Sequence, residues 1–377
     1  MKEIKELLNT IEDPRHEGYV EDKLSSILIL IIGAVICGIT ELCEMMVYFE
    51  KNKAFYKKHF KIEKIPSKPT FSRVLNMINP EAVGRIMISI MVRHTDIVSE
   101  IIAFDGKAIR GTGQDGIAHS FLQTLSAYAT ESGVTLAQRT IGSDDKTNEI
   151  PVMQNMLEVL NIEDKIITAD AMHCQKETCK KITAGKGHYI FGLKGNQKEL
   201  FENVKLFLDD ESQTFTKYET IEKNGGRIEQ RVIHVTSDVD WLFEKSSWTG
   251  LATIFSITRT VTYKEKTTVE TGYYISSILT TSETDAKKLL YATRSHWMIE
   301  SMHWFLDVVF GEDNNGFLSA NAHKVLNSFR KIALFAHKKV VHSLPVKGRP
   351  SVKGHVFEAL LDPSVCLDVI RSISLVN

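Results

Sequence analysis

The chain has 377 residues, 43% hydrophobic and 25% charged, with 46 lysines and arginines against 47 aspartates and glutamates. That length leaves room for more than one domain with a real core, and a net charge of -1 confines any nucleic-acid surface to a local patch. The five cysteines (Cys37, Cys43, Cys174, Cys179, Cys366) are odd in number, lack paired CxxC spacing and read as reduced thiols of a cytosolic protein.

The N-terminus is charged and polar through Asp22, unlike a signal peptide. Residues 1–95 read as a helical domain. Ile27 to Ile39 is apolar but falls short of the roughly 18 residues of a membrane span, so Leu24 to Cys37 is expected as a core helix. A second helix is expected over Glu41 to Phe60. Ile65-Pro66 breaks the pattern, and Ser67 can cap a third helix, Thr70 to Ile78, with Pro69 in its first turn. Lys68, Ser72 and Arg73 stand among its apolar positions, which suits a DNA-reading bundle or a plain packing domain equally.

From Glu100 the pattern turns to strands: Ile101–Phe104, Leu122–Thr130 and Val134–Ile141, the last two joined by Glu131-Ser132-Gly133. A helix over Glu149–Leu160, a strand over Lys165–Ala169, a helix over Gln175–Ala184 and a strand over Tyr189–Leu193 follow. This order predicts an α/β fold with a mixed sheet. Residues 201–281 read as a β-rich insertion with strands at Arg227–Ser237, Leu251–Tyr263 and Gly272–Thr280. Trp241 and Trp248 within it suit stacking on unpaired bases or, more simply, anchoring of the insertion.

Two strands end on carboxylates, Asp105 and Asp170. An acid where a buried strand emerges needs a cation or a donor to meet it. The segment Tyr291 to Phe310, drawn as one helix, puts His296, Glu300, His303 and Asp307 in a single polar stripe on an otherwise apolar surface, so the helix is expected to be buried and the stripe to face a site. Asp105, Asp170 and Glu300 together would make an oxygen-ligand site for a hard metal. Simpler roles stay open: Asp105 as a turn residue before Gly106, Asp170 as a helix cap, Glu300 as an ion-pair partner of Arg294 or Lys107, Asp307 in a salt bridge. Glu300-x-x-His303 also has the spacing of di-iron bundles, but no second such pair exists. A nucleophile built on Cys174 and His173 is disfavoured because chain neighbours seldom face each other. Lys107, Arg110, Lys194 and Lys198 follow strand ends, where a substrate backbone would approach. Residues 316–377 form a tail with no acid between Asp313 and Glu358, and its Arg330, Lys331, Lys338 and Lys339 suit contacts to DNA phosphates.

Five ordered motifs then make the chain resemble the DDE transposases of bacterial insertion sequences, in the H-repeat-associated branch. They are Ala103-Phe104-Asp105-Gly106-Lys107 with Arg110-Gly111, Thr168-Ala169-Asp170-Ala171-Met172-His173, Leu193-Lys194-Gly195-Asn196-Gln197, Gly226-Arg227-Ile228-Glu229, and Arg294-Ser295-His296-Trp297-Met298-Ile299-Glu300 running on through His303 and Asp307. Asp13-Pro14-Arg15 and Pro66-Ser67 match the family's N-terminal region.

The resemblance implies a ribonuclease-H-like catalytic domain (96–200 and 282–315) with Asp105, Asp170 and Glu300 as catalytic metal ligands. His296, His303, Asp307, Lys107, Arg110 and Arg294 are accessory candidates. It further implies two Mg²⁺ ions about 3.5–4 Å apart, with Mn²⁺ able to substitute. Double-stranded DNA, both element ends and target, is the implied partner of a homodimer or larger assembly. The reaction is end cleavage followed by strand transfer, in a cytoplasmic, nucleoid-associated protein with no membrane contact. A nuclease that never joins strands, and a silent DNA-binding descendant, are the rival expectations. Ser301 stands where the family more often has Asn. His296 and Asp307 stand where related enzymes have Arg and Lys, so that basic role does not transfer.

Overall fold

A computed structural model describes residues 2–16, 18, 20–95, 101–112, 121–141, 149–314 and 319–374. The expected domain boundaries at 95/96 and 315/316 lie at segments outside the described residues.

Six helices open the chain: α1 (Lys2–Leu8), α2 (Leu24–Ile36), α3 (Leu42–Lys51), α4 (Lys53–Phe60), α5 (Lys68–Met77) and α6 (Pro80–Arg93). The apolar run of α2 is buried all round, which is why it lacks a polar face. The single helix expected over 41–60 is two. Asn52, at φ −107° and ψ 18°, interrupts it, and its side-chain amide donates to the Tyr48 carbonyl at 2.9 Å beside its own backbone N–H. In α5, Phe71, Val74 and Leu75 are buried, leaving Lys68 and Arg73 outside.

The middle of the chain forms β1 (Ile101–Ile109), β2 (Leu122–Ala129), β3 (Val134–Ile141), α7 (Glu149–Val159), β4 (Ile166–Ala169), α8 (Lys176–Ala184), β5 (His188–Leu193) and α9 (Lys198–Leu208). Residues 201–281 add the long strands β6 (Thr216–Asn224), β7 (Arg227–Thr236), β8 (Thr253–Tyr263) and β9 (Lys266–Ser276). All nine strands join one mixed sheet in the order β3-β2-β1-β4-β5-β9-β8-β7-β6. Among the described strands, only β1, β4 and β5 run parallel to one another. The β-rich stretch therefore extends the central sheet through the antiparallel β5–β9 pair.

The chain closes with α10 (Glu283–Ser295), α11 (Trp297–Val308), α12 (Ala320–Ser343), α13 (Val352–Leu361) and α14 (Pro363–Ser372). One continuous apolar core contains side chains of α1–α6 together with α11–α14, reaching the sheet at Ala103, Tyr128 and Val134. A second core lies under α7, α8 and α9 on the opposite face, against Ile102 and Phe104. Alternate residues of β1 thus point to different helical layers, as a strand's two-residue period requires.

The basic tail departs from the sequence expectation, because two of its cations are buried and two more are engaged by neighbouring groups of the protein. Arg330 and Lys331 are buried in α12, Arg330 donating Nε to the Phe310 carbonyl at 3.1 Å and Lys331 reaching Ser126 and Gln138. Lys338 lies over the Tyr128 and Phe305 rings, and Lys339 donates to the Ser372 carbonyl. Arg330 and Lys331 are buried and Lys338 and Lys339 half-buried, because α12 packs within the helical core and an acid-free sequence does not say which way its cations face.

The packing sets two expected outcomes. A Cβ at Gly33 of α2 would stand 2.4 Å from the hydroxyl of the buried Tyr56. Gly33→Ala should lower the urea midpoint, because overpacking costs about 1–3 kcal/mol against a helix-propensity gain of about 1 kcal/mol. Burial also lowers the His337 imidazole from its ordinary 6.5 to about 4. It is held neutral between His355 Nδ1 at 2.9 Å and the Ile36 carbonyl at 2.8 Å. The unfolded chain binds the extra proton first, so this group's stabilisation is full above pH 6.5 and is lost as pH falls toward 4. The loss amounts to about 3 kcal/mol. Unfolding midpoints measured from pH 7 to pH 4 should fall for the parent chain and fall less for His337→Gln.

Candidate active site

The two aspartates come together through strand register. Phe104 pairs with Ala169 as the last couple of the parallel β1–β4 ladder, and each aspartate is the next residue. Asp105 does not end its strand, as expected from the sequence. β1 continues to Ile109 against β2, so Asp105 sits within a strand at the point where its parallel neighbour leaves. Asp170 leaves β4 at the start of a 3-10 turn over Ala171–His173. Two side-chain amides hold that turn: Asn196 donates to the Ala171 carbonyl at 2.7 Å, and Gln197 to the Cys174 carbonyl at 2.9 Å. The Leu193-to-Gln197 motif thereby has a physical task, positioning the loop that carries Asp170.

Across this edge runs α11. The helix expected over 291–310 is interrupted at His296, whose backbone stays in the right-handed helical region, so the polar stripe survives. His296 Nε2 lies 3.7 Å from the Asp170 carboxylate, and its Nδ1 shares a 3.1 Å hydrogen bond with Thr168. His303 Nδ1 lies 3.2 Å from the Asp105 carboxylate. Glu300 stands between these two histidines in the helix and is exposed. The helix itself is not buried all round: Ile299, Met302 and Leu306 face the core, while Trp297, Met298, Trp304 and Val308 remain about half exposed. An apolar sequence did not distinguish a core face from a bare one.

A cleft of about 270 Å³ opens beside this edge, lined by Asp170, Lys194, Tyr274, His296, Trp297 and Glu300 among others. Asp170 is 63% exposed in its side chain, and the neighbouring His296 imidazole, 3.7 Å away, holds its carboxyl below the ordinary range against the opposing effect of burial. The positive charge of Lys194 adds to that lowering.

Several expected partners are different. Glu300 is paired with neither Arg294 nor Lys107. Arg294 grips Glu222 of β6 with two hydrogen bonds, 2.7 and 2.9 Å. Lys107 lies inside β1, not after a strand end, and its ammonium is engaged by Asp307 and Glu312. Asp307 is thus in a salt bridge. Arg110 and Lys194 are exposed, and Lys198 is exposed with Glu202 at 4.0 Å. Cys174 is fully buried and its thiol is pushed up by that burial, which removes it as a nucleophile. Trp248 is buried, and Trp241 stacks on Phe207 with centroids 4.4 Å apart, so both anchor the β-rich region.

The donor chemistry of Asp105, Asp170 and Glu300 is oxygen only, which fits a hard divalent cation. Each aspartate now faces a histidine. Among the described residues no group of three or more His, Cys, Asp and Glu side chains is already gathered tightly enough to hold a metal. Asp105 and Asp170 lie side by side at one sheet edge, and Glu300 lines the same cleft as Asp170. Sequence reading gave no supporting role to Thr168, Asn196, Gln197 or Glu312. The first three are uncharged, and Glu312 is remote in sequence from the strand that it braces. Among the described residues, no helix is long and apolar enough to cross a membrane.

Residues 97–336 match the family described as Transposase DDE domain, and residues 5–91 match its companion, DDE_Tnp_1-associated. An Escherichia coli O157:H7 protein named "Putative transposase YncI" is 35% identical over 341 residues, covering 87% of this chain and 85% of its own. The Escherichia coli K12 "H repeat-associated putative transposase YhhI" is 33% identical over 346 residues, covering 89% and 90%. A piggyBac transposase synaptic complex with hairpin DNA aligns over 99% of this chain and 80% of that one at 11% identity, with a TM-score of 0.46, too low to argue a shared fold. With more than half of its length matched to the family and relatives aligned nearly end to end, the chain belongs to the DDE transposases.

Proposed function

We propose that this protein cuts DNA at the ends of a mobile element and joins the freed 3′-hydroxyl to target DNA, with Asp105, Asp170 and Glu300 as its catalytic carboxylates. The observation that carries this reading is the register of β1 and β4. It sets Asp105 and Asp170 on neighbouring parallel strands one residue past their last pair, and the cleft beside Asp170 is also lined by Glu300 of α11. The order β3-β2-β1-β4-β5, with only the last three parallel, supports a ribonuclease-H-like core within residues 96–200 and 282–315.

In this reading the three carboxylates hold two Mg²⁺ ions. Bound there, the metal supplies Lewis-acid stabilisation of charge on the phosphodiester and a more acidic attacking water. The chain's own groups bind and orient. Lys194 at the cleft meets a phosphate oxygen, and Trp297 narrows the mouth beside Glu300. His296 and His303 hold the two aspartates in place before the acids converge. Exposed Lys68 and Arg73 of α5 suit the N-terminal helices to duplex contact. Because two element ends must be joined to one target, a homodimer or larger assembly on DNA is part of the proposal.

The test is a strand-transfer assay with a duplex carrying the element end and flanking DNA, labelled at the 5′ end of the transferred strand, in Mg²⁺. Joined products are expected alongside cleavage. Cleavage without joined products would reduce the protein to a nuclease.

A further inference from the structure

β1 and α11 carry Asp105 and Glu300, and one inward-facing ion-pair network ties these two elements together beside the cleft. Lys107 follows Asp105 by two residues in the strand, so both side chains leave the same face of the sheet. Asp307 follows Glu300 by seven residues, about two helical turns, and lies on nearly the same side of α11. The Lys107 ammonium pairs with both Asp307 and Glu312; the lysine side chain is 11% exposed and Glu312 is fully buried. Glu312 also accepts from Asn327 of α12. The Asp313 carboxylate accepts the backbone N–H of Arg110, just past the end of β1, at 3.0 Å. The positive charge of the buried Arg330 faces the same acids.

A lysine enclosed by two carboxylates is not available to a DNA phosphate, and a carboxylate committed to it is not available to a metal. What the network does do is join the strand bearing one candidate ligand to the helix bearing another. A charge pair in low dielectric has a narrow favourable geometry, so sliding α11 along β1 breaks the pair.

We propose that Lys107, Asp307 and Glu312 form a positioning clamp that sets the separation between Asp105 and Glu300. The proposal rests on the reading of those two acids as metal ligands. The three clamp residues touch neither substrate nor metal. Their effect reaches the chemistry through the distance they impose on groups that do.

The test is a Tb³⁺ titration of the full chain, read by emission sensitised through Trp297, three residues from Glu300, with Mg²⁺ as competitor and thermal unfolding as control. Asp307 is the variant of choice because its side chain is 34% exposed, and Asn should fold there. Asp307→Asn is expected to raise the half-saturating Tb³⁺ concentration about tenfold, the range seen when groups that orient metal ligands are removed. The unfolding midpoint should stay within a few degrees, and Asp307→Glu should recover most of the binding. Asp105→Asn should abolish the Mg²⁺-competed signal. If Asp105→Asn titrates like the parent chain, the ligand assignment fails and takes the clamp with it. If Asp105→Asn loses the signal while Asp307→Asn titrates like the parent, the clamp alone is overturned.

Discussion

Glu300→Gln and Asp105→Asn are each expected to slow cleavage of an element-end duplex in Mg²⁺ by about 10³-fold or more, while DNA binding and the unfolding midpoint stay near those of the parent. The magnitude follows from the several kcal/mol of transition-state charge stabilisation assigned to metal ligation, at about 1.36 kcal/mol per factor of ten. Glu300 is exposed and has no ion-pair partner among the described residues, so neutralising it removes no structural contact. Asp105 is half-buried against His303 at 3.2 Å, and Asn keeps an acceptor for that contact. Single-turnover rates at saturating protein separate this loss from weakened binding. A structural role for either acid predicts the opposite pattern, a lowered midpoint with a cleavage rate near normal.

The largest loss of stability is expected at Glu312. Its carboxylate is fully buried and meets Lys107 from the sheet and Asn327 from α12. Glu312→Ala leaves a buried ammonium with one partner fewer and an amide with none at that position. Breaking a buried pair from one side costs about 3–5 kcal/mol, a large share of the total stability of a typical domain. Glu312→Gln, which keeps the shape and one acceptor, should cost less. Glu163→Ala, which removes the exposed pair with Lys186, should leave the urea midpoint unchanged. Equal midpoints for Glu312→Ala and the parent would mean that the network carries no net stability.

Much of this site is legible in the sequence because its parts are local. An apolar β-branched run ending in an acid gives β4 and Asp170, and the seven-residue spacing from His296 to His303 brackets Glu300 on one side of a helix. The end of β1 was not legible. Asp105-Gly106-Lys107 lacks the apolar character of a strand, yet it pairs with β2 through Ile109. β6 and the outer half of β9 were missed for a similar reason. Thr216–Asn224 and Lys266–Thr271 are polar strands held by cross-strand partners, not by a core, and hydrophobic periodicity does not register them.

Charge sign misled where burial was nonlocal. The stretch between Asp313 and Glu358 carries cations without acids. The acids that answer them come from outside it: Glu312, Asp313 and Asp307 lie near Arg330 in space. The same holds for α11, whose apolar residues serve a core on one side and stand bare on the other. Sequence separates polar from apolar residues; only the packing of α12 against α2 and α6, with Lys331 reaching Ser126 and Gln138 of the sheet, decides which side is inside.

Asp170→Ala is the most direct measurement of the central claim. The residue is largely exposed, its loop is held independently by Asn196 and Gln197, and it contributes to the cleft lined by Glu300. End cleavage by this variant in Mg²⁺ should fall below detection, with the unfolding midpoint and DNA affinity retained. Cleavage at the parent rate would contradict the assignment of Asp105, Asp170 and Glu300 as the catalytic carboxylates.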